Sequence, residues 1–143
     1  MTDNEPVVTP SVDPTPIYPT PTASILNSIK REFIGIPENY TQFDVNLILL
    51  INSEFGVLNQ RGVGPTTPFK ITGPTETWSQ FFENKTYLEM AKELIGIKAK
   101  LTFDPPQSNA FIQTLKERAT ELEWRLQIFD DEWTDPDKKE EED

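Results

Sequence analysis

The sequence predicts an all-α protein, a small bundle of about four main helices with an extended N-terminal arm and an acidic C-terminal tail. Three observations carry this. Apolar residues recur at helical spacing through residues 44–60, 85–103 and 109–129. Prolines cluster outside those stretches, at 6, 10, 14, 16, 19 and 21 and again at 105 and 106. Charge is uneven: residues 1–24 hold three acids and no base, 130–143 nine acids against two bases, and 25–129 twelve against eleven. The formal charge of −11 therefore belongs mainly to the ends of the 143-residue chain. One domain of ordinary size is expected, with an arm over 1–23, a helical part over 24–129 and a tail over 130–143.

Six prolines leave residues 1–23 unable to form a helix or a ladder, so an extended, polyproline-like arm is expected. It is either free or docked on a neighbour. Helix one spans Ser24–Phe33, with Ser24 as N-cap and Ile25, Leu26, Ile29 and Phe33 on one side; Gly35 and Pro37 end it. Helix two starts at an Asp44 N-cap and runs to about Gln60, with Gly62 beyond its end. The Gly/Pro-rich stretch 61–76 is a loop, with room for a short strand or β-hairpin around Phe69–Ile71. Trp78, Phe81 and Phe82 share one short helical turn.

The fourth helix, Lys85–Phe103, is apolar on most sides and so reads as buried. Asp104-Pro105-Pro106 breaks it, because no helix continues through two prolines. Ser108 or Asn109 caps the fifth, which continues to about Phe129 with a core stripe of Phe111, Leu115, Ala119, Leu122, Leu126 and Phe129.

Several function classes fall away. With no cysteine and no histidine there is no disulfide, thiolate nucleophile, Cys/His zinc site or imidazole acid–base chemistry. The candidate carboxylates, Asp104 and the helically spaced Glu117/Glu121, lack a partner that would tune them, so no enzyme, cofactor or metal is expected. The N-terminus lacks a signal-peptide pattern, and the longest apolar run, Leu47–Ile51, is too short to span a bilayer. Asn39-Tyr40-Thr41 and Asn84-Lys85-Thr86 match the glycosylation pattern by chance on that reading. The near-neutral middle is no DNA-gripping surface, which would need a basic patch.

Two surfaces call for a partner. At ~100° per residue, Leu47, Ile48, Ile51, Phe55 and Leu58 share the core side of helix two. Val45, Leu49, Asn52, Ser53, Gly56, Asn59 and Gln60 share the other. A glycine there costs ~1 kcal/mol against alanine and lets another backbone approach, with amides beside it to bond that backbone. Either the 61–76 loop folds back over this face, or a neighbouring subunit lies on it through Asn52, Gly56, Asn59 and Gln60. On helix five, Trp124 and Ile128 lie one turn apart and off the core stripe. They read as a subunit or partner contact, or else as covered by helix one or the arm.

The order of features is the broader clue. Asp44…Ile48…Ile51-Asn52-Ser53…Phe55…Leu58…Gln60…Gly62-Val63-Gly64-Pro65 is followed by Phe69, Ile71 and Trp78. Then come the buried helix ending in Asp104-Pro105-Pro106 and the long helix finishing Glu121-Leu122-Glu123-Trp124-Arg125-Leu126. Over about residues 24–129 this resembles the head–tail connector (head completion, portal adaptor) proteins of tailed bacteriophages; the arm, the tail and Gly56 lie outside the resemblance. It implies a non-enzymatic virion protein of the neck, made in the bacterial host cytoplasm. Such subunits form a homo-oligomeric ring, a dodecamer matching the portal. The ring extends the DNA channel without sequence-specific binding, helps retain packaged DNA, and docks the tail or its adaptor, with no membrane involved. C-terminal tails in the resembling family can reach up to grip the portal protein, a role expected here of Phe129 to Trp133; otherwise the acidic run is simply solvated. The alternative from another class is an acidic DNA mimic that blocks a host nucleic-acid enzyme; a generic helical adaptor is a third.

Overall fold

The computed structural model describes residues 20–132, and of Thr20, Lys85 and residues 129–132 it describes the backbone alone. The proline-rich arm through residue 19 and the tail from Trp133 lie outside the described residues. The packed part begins with a 3-10 turn, Thr20–Thr22, and with Ala23, which is already buried. Helix α1 (Ile25–Ile29) is capped as expected, the Ser24 hydroxyl accepting from the Asn27 N–H at 3.1 Å. It then widens into a π-helical turn, Lys30–Ile34, which Gly35 closes at φ 87°, a left-handed conformation that only glycine adopts cheaply.

That wide turn buries Lys30. Its Nζ sits 2.9 Å from Asp44 and donates to the Glu38 carbonyl at 2.9 Å. Asp44 is therefore the first residue of α2 (Asp44–Gln60) and not its N-cap. Its carboxylate faces the ammonium of Lys30, and Phe43 occupies the cap position without a side-chain bond. Leu47, Ile51, Phe55 and Leu58 of α2 are buried, on the expected core side. At its end the Gly62 N–H bonds the Asn59 carbonyl and the Val63 N–H bonds the Leu58 carbonyl, while Gly62 takes φ 83°.

The segment 61–77 is a loop. No strand or hairpin forms at Phe69–Ile71, because the N–H and C=O of Ile71 pair with a side chain of α2 instead of a second strand. The one bridge among the described residues joins Ser24 to Thr77, with the Ile25 N–H on the Glu76 carbonyl at 2.9 Å. Helix α3 is a single turn, Trp78–Phe81; Phe82 lies just past it in extended backbone, its ring 4.3 Å from that of Tyr87. Trp78 is fully buried, and its indole N–H donates to the Ser28 hydroxyl at 3.0 Å, which in turn donates to the Ile25 carbonyl. Phe55 stands at the centre of an aromatic group, 4.6 Å from Phe81 and 5.3 Å from Phe69. Such pairs contribute ~0.5–1.5 kcal/mol each beyond burial.

Helix α4 (Lys85–Phe103), capped by Asn84, is the axle on which α1, α2 and α5 pack. Tyr87, Leu88, Ala91, Leu94, Ile95, Ile97 and Ala99 are buried, as expected of a helix apolar on most sides. Gly96 lets the Phe33 ring of the π-helical turn lie directly on the α4 backbone; a Cβ there would collide with it. Helix α5 (Asn109–Glu132) is capped by Ser108 and buries Ala119, Leu122 and Leu126. Phe111 does not join that stripe and is 48% exposed. The tip of the α4–α5 hairpin, residues 104–111, is mostly exposed, so no other described helix covers the first turn of α5.

Candidate assembly interface

The amide-rich side of α2 divides in two. Asn52 turns toward the loop: its Nδ2 donates to the Ile71 carbonyl at 3.0 Å and its Oδ1 accepts from the Ile71 N–H at 2.8 Å. One side-chain amide thus supplies both bonds that a neighbouring strand would have made. Asn59 does similar work at the other end, donating to the carbonyls of Pro65 (3.0 Å) and Thr66 (3.1 Å). For these two the folding-back of the loop is what the structure contains.

Glu76 fixes the far side of the same loop, accepting from the Thr72 hydroxyl and N–H, each at 2.9 Å. Desolvation pushes its pKa up, but these bonds and those from backbone N–H groups together outweigh it and hold the carboxyl below 4.5.

Gly56 and Gln60 behave differently. No atom of the described residues outside the helix comes within 4 Å of where a Cβ on Gly56 would stand, so no described backbone uses the space. Gln60 is exposed. With them on the outer side lie Val45 at 72% exposure, Leu49 at 64% and the exposed Ser53. The two apolar members carry the patch, and the sequence reading placed them on this side without weighing them as contacts.

Trp124 is 61% exposed and is the largest apolar side chain on the outer side of α5. Neither helix one nor any other described element covers it. Ile128 beside it is half-buried, and the Phe129 and Trp133 side chains fall outside the described residues. The acids around Trp124 are engaged within the chain. Glu121 meets Arg125 at 2.8 Å and Arg118 at 3.2 Å; Arg118 also grips Glu93 of α4 through two bonds of 2.8 and 2.9 Å. The hydrogen bond from Arg125, then that from Arg118, holds the Glu121 carboxyl below its usual range, and the bonds to Glu93 push the Arg118 pKa up. On the inner side, Lys98 lies 3.8 Å from Glu54 and 3.3 Å from Glu123, tying α2, α4 and α5 together. Burial raises the pKa of Glu54 more than Lys98 lowers it.

Asp104 pairs with Lys100 at 3.2 Å, and Glu121 is held ionised, the opposite of what a general acid needs. Among the described residues no three His, Cys, Asp or Glu side chains come together as a metal site, and no helix is long and apolar enough to cross a membrane.

No curated protein and no solved structure matches the chain. A family model does, over residues 25–132, from the first turn of α1 to the last residue of α5; its description is phage connector protein. That span takes in both candidate surfaces and nearly all of the described residues, and the chain belongs to the phage connector protein family.

Proposed function

We propose that this chain is a structural component of the phage neck that assembles as a ring beneath the portal. The ring continues the DNA channel, helps retain packaged DNA and presents its lower face to the tail or tail adaptor. The observation that carries this reading is the connector-family match across the whole helical part. Two features of the chain support it. The folded part is close to neutral, which suits a channel wall past which DNA slides without sticking, and the surface of α2 and α5 keeps large apolar side chains in water. A dodecamer matches a twelve-fold portal.

The segment Phe129–Trp133 and the acidic tail beyond reach the portal in this reading, with Trp133 as the aromatic anchor. Because α5 runs to Glu132, deleting 133–143 leaves the described helices whole. That deletion should weaken portal binding and leave helicity unchanged; undiminished binding would remove the tail from the account.

The test of the whole reading is to tag the chain, recover it from lysate of its natural source, and identify its companions by mass spectrometry. Portal and tail proteins are expected. A restriction enzyme or polymerase alone would favour the DNA mimic, whose binding should fall steeply with salt.

A further inference from the structure

We propose that in the ring the outward face of α2 in one copy receives Trp124 of α5 in the next copy. This rests on the ring reading above and specifies which two surfaces close it. Helix α2 has two charged residues, and both are turned inward, Asp44 to Lys30 and Glu54 to Lys98. What faces outward is Val45, Leu49, Ser53, Gly56 and Gln60, without a single charge in a chain that is 26% charged. A solvated helix face ordinarily carries charge. This one is a stripe ~22 Å long at 1.5 Å per residue, with its two largest apolar members mostly in water.

Gly56 makes a hole in that stripe. A glycine there costs the helix ~1 kcal/mol against alanine, and none of the described residues occupies the space it leaves. The complementary feature is Trp124, flanked on α5 by Thr120, Gln127 and Ile128, a second uncharged patch. Of the nearby charges, Glu121, Arg125, Arg118 and Glu123 are paired within the same chain, and Arg61 at the end of α2 donates to the Gln127 side chain at 3.4 Å. Two copies of a strongly acidic protein can therefore meet here without setting one bare carboxylate against another. A tryptophan set in an uncharged hollow is the residue type and setting in which contact energy concentrates.

The two patches are different surfaces, each on the side of its helix away from α4. A contact that joins one patch to the other on the next copy is heterologous, the kind that builds a ring when its rotation closes; a patch that joined its own twin would stop at a dimer.

The cysteine-free sequence makes the test clean. Ser53→Cys and Thr120→Cys place a thiol beside the hollow and beside the tryptophan while leaving both intact. The full-length variants, alone and with the portal protein, are treated with a short bismaleimide, and wild type is weighed in parallel by native mass spectrometry. The expected result is a cross-linked pair from the mixture of the two variants, none from either by itself, and a ladder from the double variant. Leu49→Glu and Trp124→Ala should each lower assembly about tenfold or more with unchanged helicity. A 53–53 or 120–120 link, a link from residue 53 to a cysteine of the portal, or no 53–120 link where the variants assemble as wild type does would overturn the pairing while leaving the ring. Wild type that stays monomeric even with portal would take down both.

Discussion

Two long helices each carry a glycine in mid-length, and the two are used in opposite ways. Gly96 of α4 faces inward, and the Phe33 ring from the π-helical turn fills the place of its side chain. Gly56 of α2 faces outward, and no atom of the described residues fills its place. Both helices bear the same intrinsic cost for a glycine. In α4 the compensation is visible within one chain, as close packing between helix and aromatic ring. In α2 it is not, and the outer face around it is uncharged, with Val45 and Leu49 mostly in water, where a solvated face would be charged. A glycine whose vacancy is filled explains a fold; one whose vacancy is open points to a partner.

The comparison can be broken most forcefully at Gly96. Gly96→Val should destabilise the protein by about 3 kcal/mol, because the ring core of Phe33 and not a flexible end blocks the added atoms; urea denaturation followed by circular dichroism measures it. One turn from Gly56, Asn52→Ala should cost about 2 kcal/mol, since it leaves both backbone groups of the buried Ile71 without their partner. Gly56→Ala should do the reverse and stabilise the isolated chain by ~0.5–1 kcal/mol, the open space accepting a methyl without strain. If Gly96→Val were neutral, or Gly56→Ala strongly destabilising, the two glycines would not differ as described.

A smaller, pH-dependent pair sharpens the picture of what holds the loop and the helices. The Glu76 pKa is lowered by folding, so its stabilisation is present above the ordinary 4.5 and fades as pH falls through the folded value. Glu76→Gln should lose stability at neutral pH and match wild type in acid. Glu54 is raised, so its ionisation works against folding, and the penalty is absent in acid and grows as pH rises past the ordinary value. Glu54→Gln should be equal to wild type in acid and equal or slightly more stable at neutral pH, in the same thermal melts.

What the sequence made legible was local. Ser24 and Ser108 cap their helices, Gly35 and Gly62 end theirs, and Asp104-Pro105-Pro106 separates α4 from α5, because each acts on backbone within a few residues. Contacts between distant segments were harder. Asp44 has the chemistry of a cap, yet Lys30, fourteen positions earlier, claims its carboxylate. Phe69–Ile71 has the look of a strand, yet Asn52 supplies the bonds a second strand would have made. Phe111 continues the core spacing of α5 into a hairpin tip that no other described element covers. For the amide face, residue type alone could not separate Asn52 and Asn59, which serve their own loop, from Gly56 and Gln60, which do not. The charge count offered a usable signal: a helix with only Asp44 and Glu54 as charges, both on the inner side, leaves its outer side bare.

The most direct measurement of that outer side is the native mass of Leu49→Glu beside wild type, with and without the portal protein, together with thermal melts of both at dilution. Leu49 is mostly in water, so the monomer should melt within about 0.5 kcal/mol of wild type, while the variant fails to form the wild-type multimer. A variant that assembles as wild type does, or one that loses its fold, would contradict the claim that this face serves a neighbour and not its own chain.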